Sequence, residues 1–147
     1  MNNEVAILMA DDDADDRLMV KDAFADNHIV NPIVFVEDGE QLIDYLFRTG
    51  RFEGSTHALP GMILLDLNMP KIDGREALNK IKSSHHHRHI PVIVFTTSKA
   101  QEDTIRMYKS GVNSYIVKPV TYHGLVEVIG VLGKYWLDVV SLPEEHH

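Results

Sequence analysis

Cysteine is absent from the chain, which excludes disulfides, thiolate metal sites and a cysteine nucleophile. Also missing are a run of about 18 or more apolar residues and a basic-then-apolar leader, so neither a membrane span nor a secretion signal is expected, and a cytoplasmic location is. No cluster of lysines or arginines interrupts a net charge of −8, which argues against direct contact with the phosphate backbone of nucleic acid. Negative charge, by contrast, is abundant and uneven. Five of the six residues from Asp11 to Asp16 are aspartates, a density that calls for a bound cation or another source of positive charge.

With 147 residues, 44% of them apolar, the chain is sized for one domain with one real core. Short apolar runs recur at Val5–Ala10, Ile33–Val36, Met62–Leu65 and Val92–Phe95, with a weaker one at Tyr115–Val117. Each is too short for a helix and none alternates with polar residues, the pattern of strands buried on both faces of a parallel sheet. Between them lie helical stripes: Met19, Val20, Ala23 and Phe24; Leu42, Ile43, Leu46 and Phe47; Ala77, Leu78 and Ile81; and, after the last run, Leu125, Val128, Ile129, Leu132 and Trp136. The order βαβαβαβαβα predicts an α/β, doubly wound (βα)5 fold with a five-stranded parallel sheet, whose ligands bind beyond the carboxyl ends of the strands. Residues 1–143 form the expected domain and 144–147 a frayed end, where His146 and His147 have the form of a tag remnant.

The residues that follow the apolar runs make a chemical set: Asp11 and Asp12 after the first, Asp66 after the third, Thr96 ending the fourth and Lys118 after the fifth. Three carboxylates at one sheet edge cannot all stay ionised without counter-charge. An all-oxygen donor set suits a hard cation, and a site that also handles phosphate favours Mg²⁺, held by Asp11, Asp12, Asp66 and the backbone carbonyl of Asn68. Lys118 adds a compact positive charge and Thr96 a hydroxyl donor. Such a set supports phosphoryl transfer to a carboxylate, with Asp66 as the nucleophile, although spacing alone leaves open which carboxylate faces the donor.

In Ile7–Asp12, Leu64–Pro70 with Asp73-Gly74, Phe95–Ser98 and Tyr115–Pro119, the chain resembles the receiver domains of two-component response regulators. The resemblance implies a flavodoxin-like, CheY-like fold. It makes Asp66 the phosphoacceptor, Asp11 and Asp12 the metal-binding acids, Thr96 and Lys118 the catalytic partners, and Thr96 and Tyr115 the switch pair. Asn68 and Ser98 become the positions that tune phosphoryl lifetime, and the Lys118–Pro119 bond becomes cis. The partners implied are a sensor histidine kinase and a downstream protein or phosphotransfer partner, with no turnover substrate and hence no enzyme in the ordinary sense. A long second helix, the connection from Arg48 to Pro60 and the ending Tyr135–Pro143 resemble stand-alone regulators associated with bacterial and cyanobacterial phytochromes. A haloacid-dehalogenase-like phosphatase shares the residue types but would place its nucleophile first and a second aspartate two residues after it. A pseudo-receiver that never takes phosphate would leave some of the five positions unfilled.

Plainer readings stand beside these. Asp13, Asp15 and Asp16 fit the start of the first helix, where acids favour the positive end of the dipole, rather than a ligand set. The run His85-His86-His87-Arg88-His89 reads as an exposed, solvated loop, with adventitious transition-metal binding as the alternative. Tyr115 has a plain core reading. Tyr135 and Trp136 fit either packing or an exposed surface, the latter serving a partner or a homodimer through the carboxy-terminal helix or the face of the fourth helix, fifth strand and fifth helix.

Overall fold

The computed structural model describes residues 5–97, 109, 111–112 and 114–135. The apolar runs fold as β1 (Ile7–Ala10), β2 (Ile33–Val36), β3 (Met62–Leu65), β4 (Val92–Thr96) and β5 (Ser114–Val117). They pair in parallel in the order β2-β1-β3-β4-β5, the doubly wound arrangement expected. The interior strands β1, β3 and β4 are buried at every position, whereas the edge strands β2 and β5 are only partly covered, which is why the run at Tyr115–Val117 is the weakest.

Alternate side chains leave the sheet on opposite faces. Leu8, Ile63, Leu65, Val92 and Val94 pack on one side with Leu42, Leu46, Ala77 and Leu78 from α2 (Gly39–Phe47) and α3 (Gly74–Ser83). Ile7, Met9, Leu64, Ile93 and Phe95 pack on the other with Val20 and Phe24 of α1 (Ala14–Asp26) and Leu125 and Ile129 of the last helix, Tyr122–Leu132. These four α-helices each open on a side-chain cap: Asp13, Asp38, Asp73 and Thr121 each accept a backbone N–H of the first turn. The acids before α1 thus include its cap, and Asp15 and Asp16 sit in its first turn as expected. The segment for the expected fourth helix lies largely outside the described residues, as do Ser98, Trp136 and residues 137–147. No described helix is long and apolar enough to cross a membrane.

Three expectations need correction. The second helix is not long: its nine residues end where Arg48 turns left-handed at φ 56°, sending its N–H back to the Asp44 carbonyl. The Lys118–Pro119 bond is trans, the lower-energy isomer by about 0.5–1 kcal/mol. The histidine run is a turn in which His85, His86, Arg88 and His89 are exposed as expected, but His87 is 4% exposed and structural. A carbonyl only accepts, so the His87 Nε2–H donates to Leu46 O at 2.7 Å, and Nδ1 is left to accept from the Ser84 hydroxyl, also at 2.7 Å. His57 makes the same contact with the neighbouring Tyr45 carbonyl at 2.9 Å and stacks on the Tyr45 ring. Two imidazoles from separate connections therefore satisfy adjacent orphan carbonyls at the end of α2.

Burial depresses the His87 pKa, aided by the nearby charges of His86, Arg48 and His89 and opposed by the Leu46 hydrogen bond. The unfolded chain then binds the extra proton more readily, so this residue's contribution is fully present above about pH 6.5 and is lost as pH falls through the depressed folded value. The expected result is that His87→Gln costs about 1–3 kcal/mol in urea unfolding at pH 7.5. The gap from wild type should narrow by pH 5; a gap independent of pH would refute this role for the ring.

Candidate functional site

The sheet register brings the strand ends together. Ala10 pairs with Leu65, and Thr96 with Val117, so Asp11, Asp66, Thr96 and Lys118 emerge at one rim. Backbone bonds continue past the strands and fix them there: Asp11 N donates to Val36 O, Asp66 N to Ala10 O and Lys118 N to Thr96 O. Behind Asp66 the fit is tight, because a Cβ on Gly74 would lie 2.5 Å from the Asp66 carbonyl oxygen and 2.6 Å from Leu67 Cα. Only glycine lets α3 start against the loop that carries Asp66.

Asp11 is fully buried and Asp66 is 7% exposed, while Asp12 is open to solvent. One carboxylate oxygen from each of the three lies within 4.8 Å of the others, and this is the only group of potential metal ligands among the described residues. The histidine turn contributes none. Lys118 reaches over the rim to donate to Asp11 Oδ2 at 2.7 Å, Asp66 Oδ2 at 3.0 Å and Asp16 Oδ2 at 2.7 Å. The buried Thr96 hydroxyl donates to Asp66 Oδ1 at 2.9 Å, and the same oxygen accepts from Asn68 N at 3.0 Å. Asn68 Nδ2 in turn reaches Thr96 Oγ1 at 3.4 Å.

Burial pushes the Asp11 carboxyl above the usual carboxylate range, against the hydrogen bonds from Lys118 and Asp13 and with some help from the Asp66 charge. Burial alone would lower the Lys118 ammonium, but hydrogen bonds to Asp11 and Asp16 and the charges of Asp11 and Asp66 outweigh it, holding the lysine above its ordinary range. Lys118 is therefore a fixed positive charge at neutral pH, and the crowded acids favour a further cation. Hard carboxylate oxygens this close fit a divalent ion of the Mg²⁺ or Mn²⁺ type.

All five expected residues thus meet, with Asn68 beside them. Tyr115 on β5 is half-buried against the α2–α3 side of the core; Ser98 lies outside the described residues. Two participants escape the sequence reading. Asp16 is a partner of Lys118, not only a helix-dipole acid, and Arg17 Nη1 donates to the Asp11 carbonyl at 2.7 Å. The available signal is position: both stand in the first turn of the helix that starts beside β1.

A model of the response regulator receiver domain matches residues 7–130. The probable methanogenesis regulatory protein FilR2 of Methanothrix harundinacea is 38% identical over 89% of this chain and 83% of its own length. The response regulator Rcp1 of a Synechocystis species is 36% identical over 95% and 93%; its Mn²⁺-bound crystal structure superposes with a TM-score of 0.87, covering 95% of this chain and 99% of that one. The phosphorylated cyanobacterial phytochrome response regulator RcpA, 33% identical, superposes at 0.88 over 96% and 99%.

Gly74→Ala should lower stability by about 1–3 kcal/mol, since the clash is with backbone rather than a movable side chain. Urea unfolding midpoints measure it. An unchanged midpoint would mean that α3 does not brace the Asp66 loop as described.

Proposed function

This chain belongs to the response regulator receiver domain family, and from that premise we propose that Asp66 accepts a phosphoryl group from a sensor histidine kinase in a step assisted by Mg²⁺. The observation that carries the reading is the convergence of one ammonium and one hydroxyl on the Asp66 carboxylate, with two further acids beside it. A carboxylate oxygen of Asp66 forms the new P–O bond as the P–N bond to the donor histidine breaks, and the leaving imidazole takes a proton. Lys118 and Thr96 supply donors to the charge that gathers on the phosphoryl oxygens, a positioning and electrostatic contribution rather than covalent chemistry. Asp11, Asp12, Asp66 and the Asn68 backbone carbonyl would hold the divalent ion, which when bound neutralises the crowded oxygens.

The chain turns over no external substrate on this reading; it carries a signal. The Thr96 hydroxyl already points at Asp66, so the phosphoryl group extends the acceptor toward solvent instead of drawing the hydroxyl in from a distance. Any adjustment of Thr96 is passed along β4 to Tyr115, which pairs with Val94 two residues before Thr96 and packs on the α2–α3 side of the sheet. The surface around Tyr115 then presents a phosphorylation-dependent face to a downstream protein or phosphotransfer partner. Asn68, and Ser98 by its position in the sequence, govern how water reaches the phosphoryl group. The kinase is phytochrome-like, a choice supported by the likeness to the cyanobacterial phytochrome response regulator RcpA. A dehalogenase-like hydrolase is disfavoured by Asn68, which stands where a second aspartate would act and instead donates to Thr96.

Incubation with acetyl phosphate and Mg²⁺, followed by intact-mass measurement, tests the mechanism. Wild type should gain the mass of one phosphoryl group and Asp66→Asn none. No gain in wild type, or an equal gain in the variant, would overturn it.

A further inference from the structure

Lys118 has three N–H donors and three carboxylate acceptors. Asp11 and Asp66 belong to the group of oxygens able to hold a metal; Asp16 does not. Asp16 is nevertheless placed by a fixed backbone. The Asp13 cap accepts the N–H groups of Asp15 and Asp16, and Arg17, next in the chain, is bonded to the Asp11 carbonyl. The first turn of α1 is thereby pinned to the end of β1, and the Asp16 carboxylate is presented to the ammonium by fixed backbone.

The carboxylate oxygens of Asp11 and Asp66 are already engaged, while Asp12 stands open to solvent. Asp11 Oδ1 accepts from Asp13 N at 2.9 Å, Asp66 Oδ1 accepts from Thr96 and Asn68, and Lys118 occupies the Oδ2 atom of both. A divalent cation drawn to Asp11 and Asp66 must therefore share oxygens with donors in place, and the donor it repels is the ammonium. A lysine with a side chain only 10% exposed cannot simply be cast off, because a buried charge stripped of its partners is costly. One that keeps Asp16 is not stranded.

We propose that Asp16 is a positioning residue, the carboxylate that retains Lys118 when Asp11 and Asp66 turn to a divalent cation. It makes room for the metal while keeping the ammonium at the rim, within reach of Asp66. The inference rests on the metal-assisted phosphoacceptor reading above, and it is specific to an acid in the first turn of α1.

Calorimetric titration of the full chain with Mg²⁺ tests it without reference to phosphorylation. Asp16→Asn should weaken Mg²⁺ binding about three- to fivefold, the scale of a partly exposed ion pair. Asp15→Asn removes the same charge from the same turn but takes nothing from Lys118, and should change affinity by less than about twofold. In a Lys118→Ala background, Asp16→Asn should likewise matter by less than about twofold, since there is no ammonium to retain. No loss in Asp16→Asn, or an equal loss in Asp15→Asn or in the lysine-free background, would overturn the proposal, the latter two by reducing it to general attraction of cations to acids. A wild-type chain that binds no Mg²⁺ would overturn the metal reading itself and this inference with it, whereas Mg²⁺ binding that ignores Asp16 would sink the inference alone.

Discussion

Lys118 places one positive charge among Asp11, Asp16 and Asp66, and two of those acids are buried at the ends of interior strands. Without that charge the rim would carry adjacent carboxylates in a poorly solvated setting, a condition that costs several kcal/mol unless protons or cations enter. With it the acids stay available, although burial still holds the Asp11 carboxyl above its ordinary range, a cost that a further cation beside it would offset. The chemistry proposed for Asp66 depends on this balance: one cation resident in the chain, room for a second, and a hydroxyl fixed on the far oxygen.

The fold exists to hold that balance in place. Parallel pairing sets the carboxyl ends of β1, β3, β4 and β5 side by side, and backbone bonds beyond the last ladder residues stop the functional side chains from drifting. Tight approaches brace the rim from outside. Gly74 lets α3 begin against the Asp66 loop, and Gly39, whose Cβ would meet the Ile72 carbonyl oxygen at 1.7 Å, lets α2 begin against the segment that follows it. At the far end of α2, His57 and His87 hold two carbonyls that would otherwise be unpaired. A site in which every donor to Asp11, Asp16 and Asp66 lies within about 3 Å of its acceptor tolerates little looseness in its scaffold.

Much of this was legible in the residues because the interior strands are buried on both faces: runs such as Met62–Leu65 carry no alternation to confuse with a helix, and whatever follows them lies at the sheet edge. Asp11, Asp66, Thr96 and Lys118 could be picked out for that reason. Asp16 could not, since an acid in a first helical turn is explained equally well by the dipole, and only the three-dimensional reach of Lys118 shows its second partner. Nor does a row of identical histidines reveal that the third lies under α2. The length of α2 is not legible either, because its end is set by a left-handed arginine, with no glycine at position 48 to announce it. A trans Lys118–Pro119 bond likewise leaves no trace in residue order.

The strand-end constellation, the parallel 2-1-3-4-5 sheet and the membership of the receiver family all support the proposal of a phosphate-operated switch, with Asp66 as its acceptor and Lys118 as its resident cation. A crystal structure of the chain with Mn²⁺ and beryllofluoride tests that most directly, since anomalous scattering locates the metal and the fluoride stands in for a phosphoryl group. The expected result is Mn²⁺ among Asp11, Asp12 and Asp66, beryllofluoride on Asp66, and the Lys118 ammonium against a fluorine. Metal bound away from those three acids, or beryllofluoride absent from Asp66, would contradict it.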